Sequence, residues 1–472
     1  MTGAGSLVAG VPIRTWTVVL PLAAIVAVGS AVSPLGVLLL AALLATWAAA
    51  GHGLGEVEGR WVSRLLAVAI VARVLVVAAV FLSTNPAVEP YRSIFPDGRF
   101  VITRSLWIRD YWMGGVLAPD VALDVFDPYG GDAYFYFFAW VQYWFGAAPF
   151  ALNLVTVLVL TVFAAGMHRL VRHAFGRLPA FIVLVMLLFV PTLFAWSVSM
   201  LKDIAFMALL AMALGGAYWM VRGRGWARPA ALVAVVLAVA SLGVLREGGV
   251  VIGAGGVGLG LAGWLVSRRP ATIVLALVLV AAAGWAALSR PSIRDAVTFQ
   301  VQLAASRHIG HVFTEGYAYR LLDPKYYALS GEALFTMQPA EMGRFLMRAV
   351  ASFFVVPTPW QVRSLTQLAY VPEQVMWYCL LLLAVPGTWV GLRRDALLTW
   401  LLIGGIATAA AVIAPNSGNV GTLIRHREMV LPLVGCLGAV GVAVLLDRIA
   451  AFAGAWPAGA APRAGLAAGA NS

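Results

Sequence analysis

Three carboxylates in the first long hydrophilic stretch of the chain could take part in catalysis. Asp97 is the first aspartate after a long apolar run, and Asp110 and Asp132 lie further along, among many aromatic residues. A carboxylate held at the surface of a membrane can deprotonate an acceptor hydroxyl or bind a divalent cation while a lipid-borne substrate lies alongside. We therefore take Asp97 as the first candidate for a general base, with Asp110 and Asp132 behind it.

Basic residues form a second group of candidates, because they stand in short polar segments between apolar runs. A guanidinium or ammonium at such a break can bind phosphate, with help from the free N–H groups at the start of the next helix. The candidate phosphate ligands are Lys202, Arg246, Arg425 and Arg427. Their supporting neighbours are Asp203, Glu247 and His426. The alternative is structural: Lys202 can pair with Asp203 and end a helix, and the two later arginines can form salt bridges to other carboxylates.

The composition places these residues in a membrane protein. Of the 472 residues, 62% are hydrophobic and only 11% are charged, so the chain cannot cover a soluble body with polar surface. A net charge of +12 would suggest nucleic acid as the partner of a soluble chain, but here the basic residues must first be placed relative to the apolar runs. The two cysteines, Cys379 and Cys436, lie inside apolar segments and provide neither a disulfide framework nor a metal cluster.

The elements that must position the candidates are membrane helices, because lipid offers no partner for backbone N–H and C=O groups. Each crossing of the hydrocarbon core needs about 20 mostly apolar residues. We predict an all-α polytopic protein of about 12 spans. The predicted spans are 15–32, 35–50, 62–83, 147–167, 178–199, 203–221, 229–245, 248–266, 271–288, 372–391, 396–414 and 429–446. The first two read as a membrane hairpin, because no convincing cleavage site follows the first.

Basic residues in the short connections predict the orientation. Arginines cluster at 168–177, 222–228, 267–270 and 393–395, and the positive-inside rule assigns these connections and both termini to the cytoplasm. Two large loops, about 83–146 and 289–370, then lie outside. All acidic residues except Glu56, Glu58, Asp395 and Asp447 fall on the outer side, and the whole excess of +12 falls on the cytoplasmic side. Anionic lipid headgroups are the partners this excess requires, so no nucleic acid is expected.

The chain divides into five predicted regions along this map. Residues 1–61 form an N-terminal hairpin with a cytoplasmic loop, and residues 62–288 form a membrane core that includes the outer loop 84–146. Residues 289–371 are an outer region with interfacial helices, residues 372–453 are C-terminal spans, and the Ala/Gly/Pro-rich tail 454–472 is a disordered cytoplasmic end.

Histidines give little support for a metal site. His308 and His311 could be a metal pair in the second outer loop, but no cysteine or carboxylate stands at ligand spacing from them. We expect both to be solvated loop histidines. No cofactor is assigned, and a divalent metal depends only on the acidic candidates.

Taken in order, these segments resemble the polyprenyl-phosphate-sugar-dependent membrane glycosyltransferases of the GT-C class, in particular the bacterial family 39-like proteins. The likeness covers most of the chain, and it depends on the order of the motifs more than on any one of them. The residues that carry it are the acidic loop at Asp97, the aromatic segment YFYFFAWVQYWF, the turn from Trp196 to Asp203, the sequence LREGG, the stretch from Phe353 to Leu368, and RHREMVLPL.

The resemblance implies a GT-C bundle with its active site at the extracytoplasmic surface of the cytoplasmic membrane. It implies transfer of a sugar from a polyprenyl-phosphate donor to a hydroxyl of a cell-envelope acceptor, with Asp97 as base, the basic residues on the donor phosphate and inversion at the anomeric carbon. Family members usually carry an acidic pair where this chain reads Pro96-Asp97-Gly98, so a metal requirement stays open.

Three other functions compete with this interpretation. A polymerase or ligase of lipid-linked polysaccharide would also need outer arginines for a pyrophosphate. A lipid or sugar transporter or flippase would place its functional charges inside the membrane, along an alternating pathway. A non-catalytic assembly protein could retain the fold without the chemistry.

Overall fold

The computed structural model describes residues 7–8, 11–12, 33–85, 93–119, 121–122, 133–314, 316–328, 332–361 and 365–455. The predicted span 15–32, the catalytic candidate Asp132 and most of the predicted tail lie outside these residues.

The described chain is almost entirely helical, apart from a pair of two-residue antiparallel strands, β1 (Leu7–Val8) and β2 (Val11–Pro12). Short 3-10 turns lie at Pro324–Tyr327, Pro359–Gln361 and Ala414–Asn416. The α-helices, in chain order, are α1 Pro34–Ala50, α2 Glu56–Leu82, α3 Pro96–Trp112, α4 Ala133–Phe145, α5 Pro149–Phe175, α6 Arg177–Phe189, α7 Pro191–Ser197, α8 Lys202–Arg222, α9 Ala227–Leu245, α10 Gly249–Val266, α11 Pro270–Leu288, α12 Pro291–Val312, α13 Glu332–Phe335, α14 Pro339–Val355, α15 Leu365–Arg394, α16 Ala396–Ile413, α17 Val420–Glu428 and α18 Leu431–Ala455.

Eight helices in the described part of the chain are long and apolar enough to cross a membrane. A ninth span arises if α6 and α7, which meet at a bend of 57°, are counted together, and α1 is apolar but only 17 residues long. The prediction of an all-α protein with several membrane spans is confirmed, while the number twelve stays a prediction.

Short connections make successive spans run in opposite directions, so the bundle has two chemically different ends. Helix α8 joins them, because Asp203 and Arg222 at its two ends are about 29 Å apart along the axis. At the Arg222 end, Arg172 Nε donates to Glu58 at 2.6 Å and Tyr218 donates to Asp395 at 2.9 Å. This arginine-rich end contains the connections that the sequence assigns to the cytoplasm.

Charged side chains stabilise the bend between α6 and α7, where Pro191 interrupts the helical hydrogen bonds. The Arg73 guanidinium of α2, which is buried, donates to the Leu188 carbonyl at 2.7 Å and to Ser197 Oγ at 2.7 Å. The Thr192 N–H donates to the Glu373 carboxylate of α15 at 3.2 Å. These two charged groups therefore satisfy backbone groups that lipid could not.

Candidate functional site

The opposite end of the bundle brings together acidic and basic residues from distant parts of the sequence. Arg425 of α17 bridges two carboxylates: its Nε donates to Asp203 Oδ2 at 2.6 Å, and its Nη1 donates to Asp97 Oδ2. The Asp203 side chain is fully buried, whereas that of Asp97 is 57% exposed. Asp97 is therefore the carboxylate that a ligand can reach, and Asp203 is the one that holds the arginine.

A second arginine extends this group of charges. Arg246 Nη1 lies 3.5 Å from Asp203 Oδ1, and Arg246 Nη2 donates to Nε2 of His426. Because a guanidinium can only donate, the proton of His426 lies on Nδ1, which donates to Ser417 Oγ at 2.6 Å. Burial, followed by the charge of Arg246, lowers the pKa of His426 well below its ordinary value, so this imidazole is neutral.

Lys202 completes the group, within electrostatic range of Asp97, Asp203, Arg246 and Arg425. We call these four residues with Lys202 and His426 the charged cluster. Burial opposes the charge of Arg425, but Asp203 and Asp97 raise its pKa above the ordinary value. The described cluster thus holds three cations against two carboxylates, and its net charge of one positive unit favours an anionic ligand.

Local sequence explains how Arg246 reaches the cluster. Gly248, with φ +77°, takes the left-handed conformation that ends the turn between α9 and α10. A Cβ on Gly249 would lie 2.0 Å from the Leu242 carbonyl oxygen, so that position also requires glycine. The sequence REGG therefore folds as a tight turn that directs the arginine towards Asp203.

Arg427 is not part of the charged cluster, contrary to the prediction that it shares a phosphate site with Arg425. Residues two apart on a helix lie on nearly opposite faces, and Arg427 points towards α15. Its guanidinium is buried and donates to the Val356 carbonyl at 3.0 Å, to Tyr370 Oη at 2.5 Å and to Gln374 Oε1 at 2.6 Å. Its role in this structure is to join α17 to α15.

We expect Arg427→Gln to destabilise the fold without weakening phosphate binding. The substitution removes several charge-assisted hydrogen bonds, each worth about 1.5–3 kcal/mol, so a loss of about 3 kcal/mol is expected. Thermal unfolding in detergent measures the loss, and titration with inorganic phosphate or a lipid phosphate measures binding. Weaker phosphate binding at unchanged stability would contradict this assignment.

The other sequence candidates lie outside the cluster or at its edge. Asp110 is about 20 Å from Asp97 along α3 and lies 3.3 Å from the Arg109 guanidinium. Glu247 is largely exposed and pairs with Arg307 of α12. Asp132 lies outside the described residues.

A side chain at the position after Asp97 would displace the Ser93 hydroxyl. Gly98 is buried where α3 begins, and a Cβ there would lie 2.4 Å from Ser93 Oγ. Within the described ranges, no group of three or more His, Cys, Asp or Glu side chains could hold a metal ion. The direct partner of Asp97 is the Arg425 guanidinium, and Lys202 lies within electrostatic range.

Tyr134 is a site residue that the sequence interpretation missed. Its side chain is 7% exposed, and its hydroxyl has no hydrogen-bond partner among the described residues. Burial and then the charge of Asp203 raise the pKa of this hydroxyl, so it stays protonated and can donate. Helical spacing in the segment AYFYFFAWVQYWF could have revealed it, because Tyr134, Phe138 and Val141 share the buried face of α4.

The expectation that His308 is solvated is wrong, because its side chain is fully buried beneath the cluster. Nδ1 faces the Ser417 carbonyl oxygen at 2.5 Å, and Nε2 lies 3.0 Å from Tyr327 Oη. His311 similarly lies 2.6 Å from the Asn416 carbonyl oxygen. Both histidines fasten α12 to the turn that precedes α17, so their role is structural.

Stability is expected to fall as the pH decreases below about 6.5. Burial lowers the pKa of His308 from 6.5 to about 4, so the unfolded chain binds a proton in that interval that the folded protein does not. Because of this histidine, the free energy of unfolding should decrease by about 1.4 kcal/mol per pH unit as the pH falls from 6.5 to 4. Unfolding midpoints of wild type and His308→Gln, compared across this range, isolate the effect. Equal pH slopes in both proteins would contradict it.

The chain matches no protein-family model, no curated protein and no solved structure. The geometry of the charged cluster therefore carries the functional argument.

Proposed function

We propose that the protein is a membrane glycosyltransferase that moves a sugar from a polyprenyl-phosphate donor to an acceptor hydroxyl of the cell envelope. The observation that carries the proposal is the convergence of Asp97, Lys202, Arg246 and Arg425 at one end of a membrane bundle. A lipid phosphate is an anion whose head group lies at the membrane surface, where this end of the bundle is expected. An exposed carboxylate next to its binding site provides a base.

The cations fit the leaving group of such a reaction. When the bond between the sugar and the phosphate breaks, the lipid phosphate departs as an anion and needs electrostatic stabilisation more than protonation. Arg246 is 23% exposed and Arg425 is 29% exposed, so each can contact an incoming phosphate while Asp203 holds it in place. Lys202 adds a third positive charge nearby.

Asp97 is the base in this proposal. It accepts the proton of the acceptor hydroxyl, whose oxygen attacks the anomeric carbon from the side opposite the phosphate, which inverts the configuration. In the structure Asp97 is bound to Arg425. A donor phosphate that binds Arg425 competes with this contact and frees the carboxylate at the moment the reaction needs it.

The sidedness of the reaction follows from the sequence. The positive-inside rule favours the cytoplasm for the arginine-rich end of the bundle, so we propose that the charged cluster faces the extracytoplasmic side of the cytoplasmic membrane. We propose that the acceptor is a glycan, glycolipid or glycoprotein of the cell envelope, and that both termini are cytoplasmic.

A transporter is a weaker proposal, because the charges within the described spans have structural partners. Arg73 and Glu373 bind backbone groups at the α6–α7 bend. An alternating pathway needs polar groups that exchange partners, whereas these groups hold helices together.

The test is transfer of labelled sugar from synthetic polyprenyl-phosphate donors by the purified protein in detergent or vesicles. Release of lipid phosphate together with a glycosylated acceptor is the expected result. Activity only with a pyrophosphate-linked repeat unit would replace the proposal by a polymerase or ligase. Movement of labelled lipid across sealed vesicles without transfer would replace it by a flippase.

A further inference from the structure

A long apolar groove runs along the membrane face of the bundle and ends at the charged cluster. Helices α5, α8 and α9 form its walls, and the first turns of α4 cover its upper end. Its volume is about 1050 Å³, and small residues such as Gly166, Ala208 and Ala231 keep it open. The groove therefore offers a continuous apolar surface that other helices of the bundle leave uncovered.

The groove extends across most of a bilayer. On α9 its lining runs from Ala227 to Leu245, a distance of about 27 Å along the axis. The hydrocarbon core of a membrane is about 30 Å thick. Only a molecule with a long apolar part fills such a groove.

Three residues connect the upper end of the groove to the charges. Leu245 lines the groove and directly precedes Arg246, and Ala205 lines it two residues after Asp203. Tyr134 also lines this end and presents the buried hydroxyl that lacks a partner in the described chain. A ligand with an anionic head can bind this donor and the cations while its chain lies in the groove.

We propose that the groove selects the donor by the length of its lipid chain, and that Gly166 is the residue that admits long chains. The inference deepens the proposed function and rests on it for the identity of the head group. A phospholipid tail occupies one leaflet, about half of the hydrocarbon core of about 30 Å, whereas the groove runs for about 27 Å and so suits a longer polyprenyl chain better. The partner is therefore a long-chain lipid phosphate.

The position of Gly166 makes it decisive for long chains only. It lies about 17 Å along α5 from Val155, which lines the groove near the charged end. No heavy atom lies within 4 Å of a Cβ built on Gly166, so a larger side chain there enters the groove without disturbing the fold. A short chain ends above this level, whereas a long chain has to pass it.

The experiment compares Gly166→Leu with Gly258→Leu, a matched control. Gly258 is also an exposed glycine within a span, with open space around a built Cβ, but it lies on α10 and outside the groove. The probes are farnesyl phosphate and a long-chain polyprenyl phosphate, with binding to the purified full chain measured by native mass spectrometry and titration. We expect Gly166→Leu to weaken long-chain binding about tenfold, as if roughly two methylenes left their apolar contact, and to leave farnesyl phosphate unchanged.

The inference would be overturned if Gly166→Leu and Gly258→Leu bound the long-chain polyprenyl phosphate equally well and farnesyl phosphate equally well. It would also be overturned if phosphatidylglycerol at equal concentration displaced the long-chain lipid phosphate. If Gly166→Leu binds the long-chain lipid phosphate with wild-type affinity and still transfers sugar, the groove is not the binding site of the lipid chain, while the proposed function stands. Chain-length-dependent binding without any sugar transfer would support the groove and reject the glycosyltransferase proposal.

Discussion

Replacement of Asp97 by asparagine is expected to reduce sugar transfer by about two to four orders of magnitude, the usual contribution of a positioned general base. Asparagine has nearly the same shape but cannot take the proton of the acceptor hydroxyl. The side chain is more than half exposed and its ion pair with Arg425 lies at the surface, so stability should change little. Initial rates with saturating donor, together with a thermal unfolding curve, separate the two effects.

Asp110→Asn is the matched control for that substitution. Asp110 belongs to the same helix, its side chain is 55% exposed, and it also lies beside an arginine, but it is far from the charged cluster. Transfer by Asp110→Asn should stay near the wild-type rate. Wild-type rates for Asp97→Asn would remove this residue from the mechanism, and a selective loss in Asp110→Asn would move the base to that position.

Asp203→Asn should abolish transfer and also destabilise the protein by about 3–5 kcal/mol, as is typical when one partner of a buried ion pair is removed. The fully buried carboxylate lies 2.6 Å from Arg425 Nε and 3.5 Å from Arg246 Nη1. Without it, two guanidinium groups and the Lys202 ammonium repel one another at the same end of the bundle. The arginines then position the phosphate less well, and α8 packs less tightly against α17.

A double-mutant cycle with Arg425→Gln shows whether the two residues act as a pair. If they do, Asp203→Asn combined with Arg425→Gln loses less stability than the sum of the single losses, because neither charge is left buried alone. If the two single losses of stability simply add in the double mutant, the two residues do not stabilise the fold as a pair. An Asp203→Asn protein with normal stability and normal transfer would remove Asp203 from both roles.

The sequence predicted an all-α protein with several membrane spans because apolar length is a local property that lipid imposes on each helix. It also predicted that Lys202, Arg246 and Arg425 lie at one end, since short connections make successive spans alternate in direction. The structure separates Arg427 from Arg425, because the segment forms helix α17, in which the two arginines face opposite sides.

Contacts between distant segments were beyond the reach of local patterns. His308 stands in a polar stretch typical of a solvated loop, yet the turn at Ser417, more than a hundred residues later, covers it. The bridge from Arg425 to Asp97 joins residues still further apart. The Tyr134 hydroxyl is a candidate only because the fold buries it away from water and gives it no hydrogen-bond partner among the described residues, and the lack of a partner is something that no local pattern can reveal.

The α6–α7 bend sets an order on the assembly of the protein during synthesis. Arg73 leaves the ribosome before the Leu188 carbonyl that it binds, and Glu373 follows Thr192 by 181 residues. In the nascent chain Arg73 therefore has only its own helix, through the Ala69 carbonyl, as a partner until Leu188 and Ser197 follow, and the Thr192 N–H lacks Glu373 until α15 follows. The charged cluster can likewise close only after nearly the whole chain has been made, because Arg425, which joins Asp97 to Asp203, lies close to the end of the sequence.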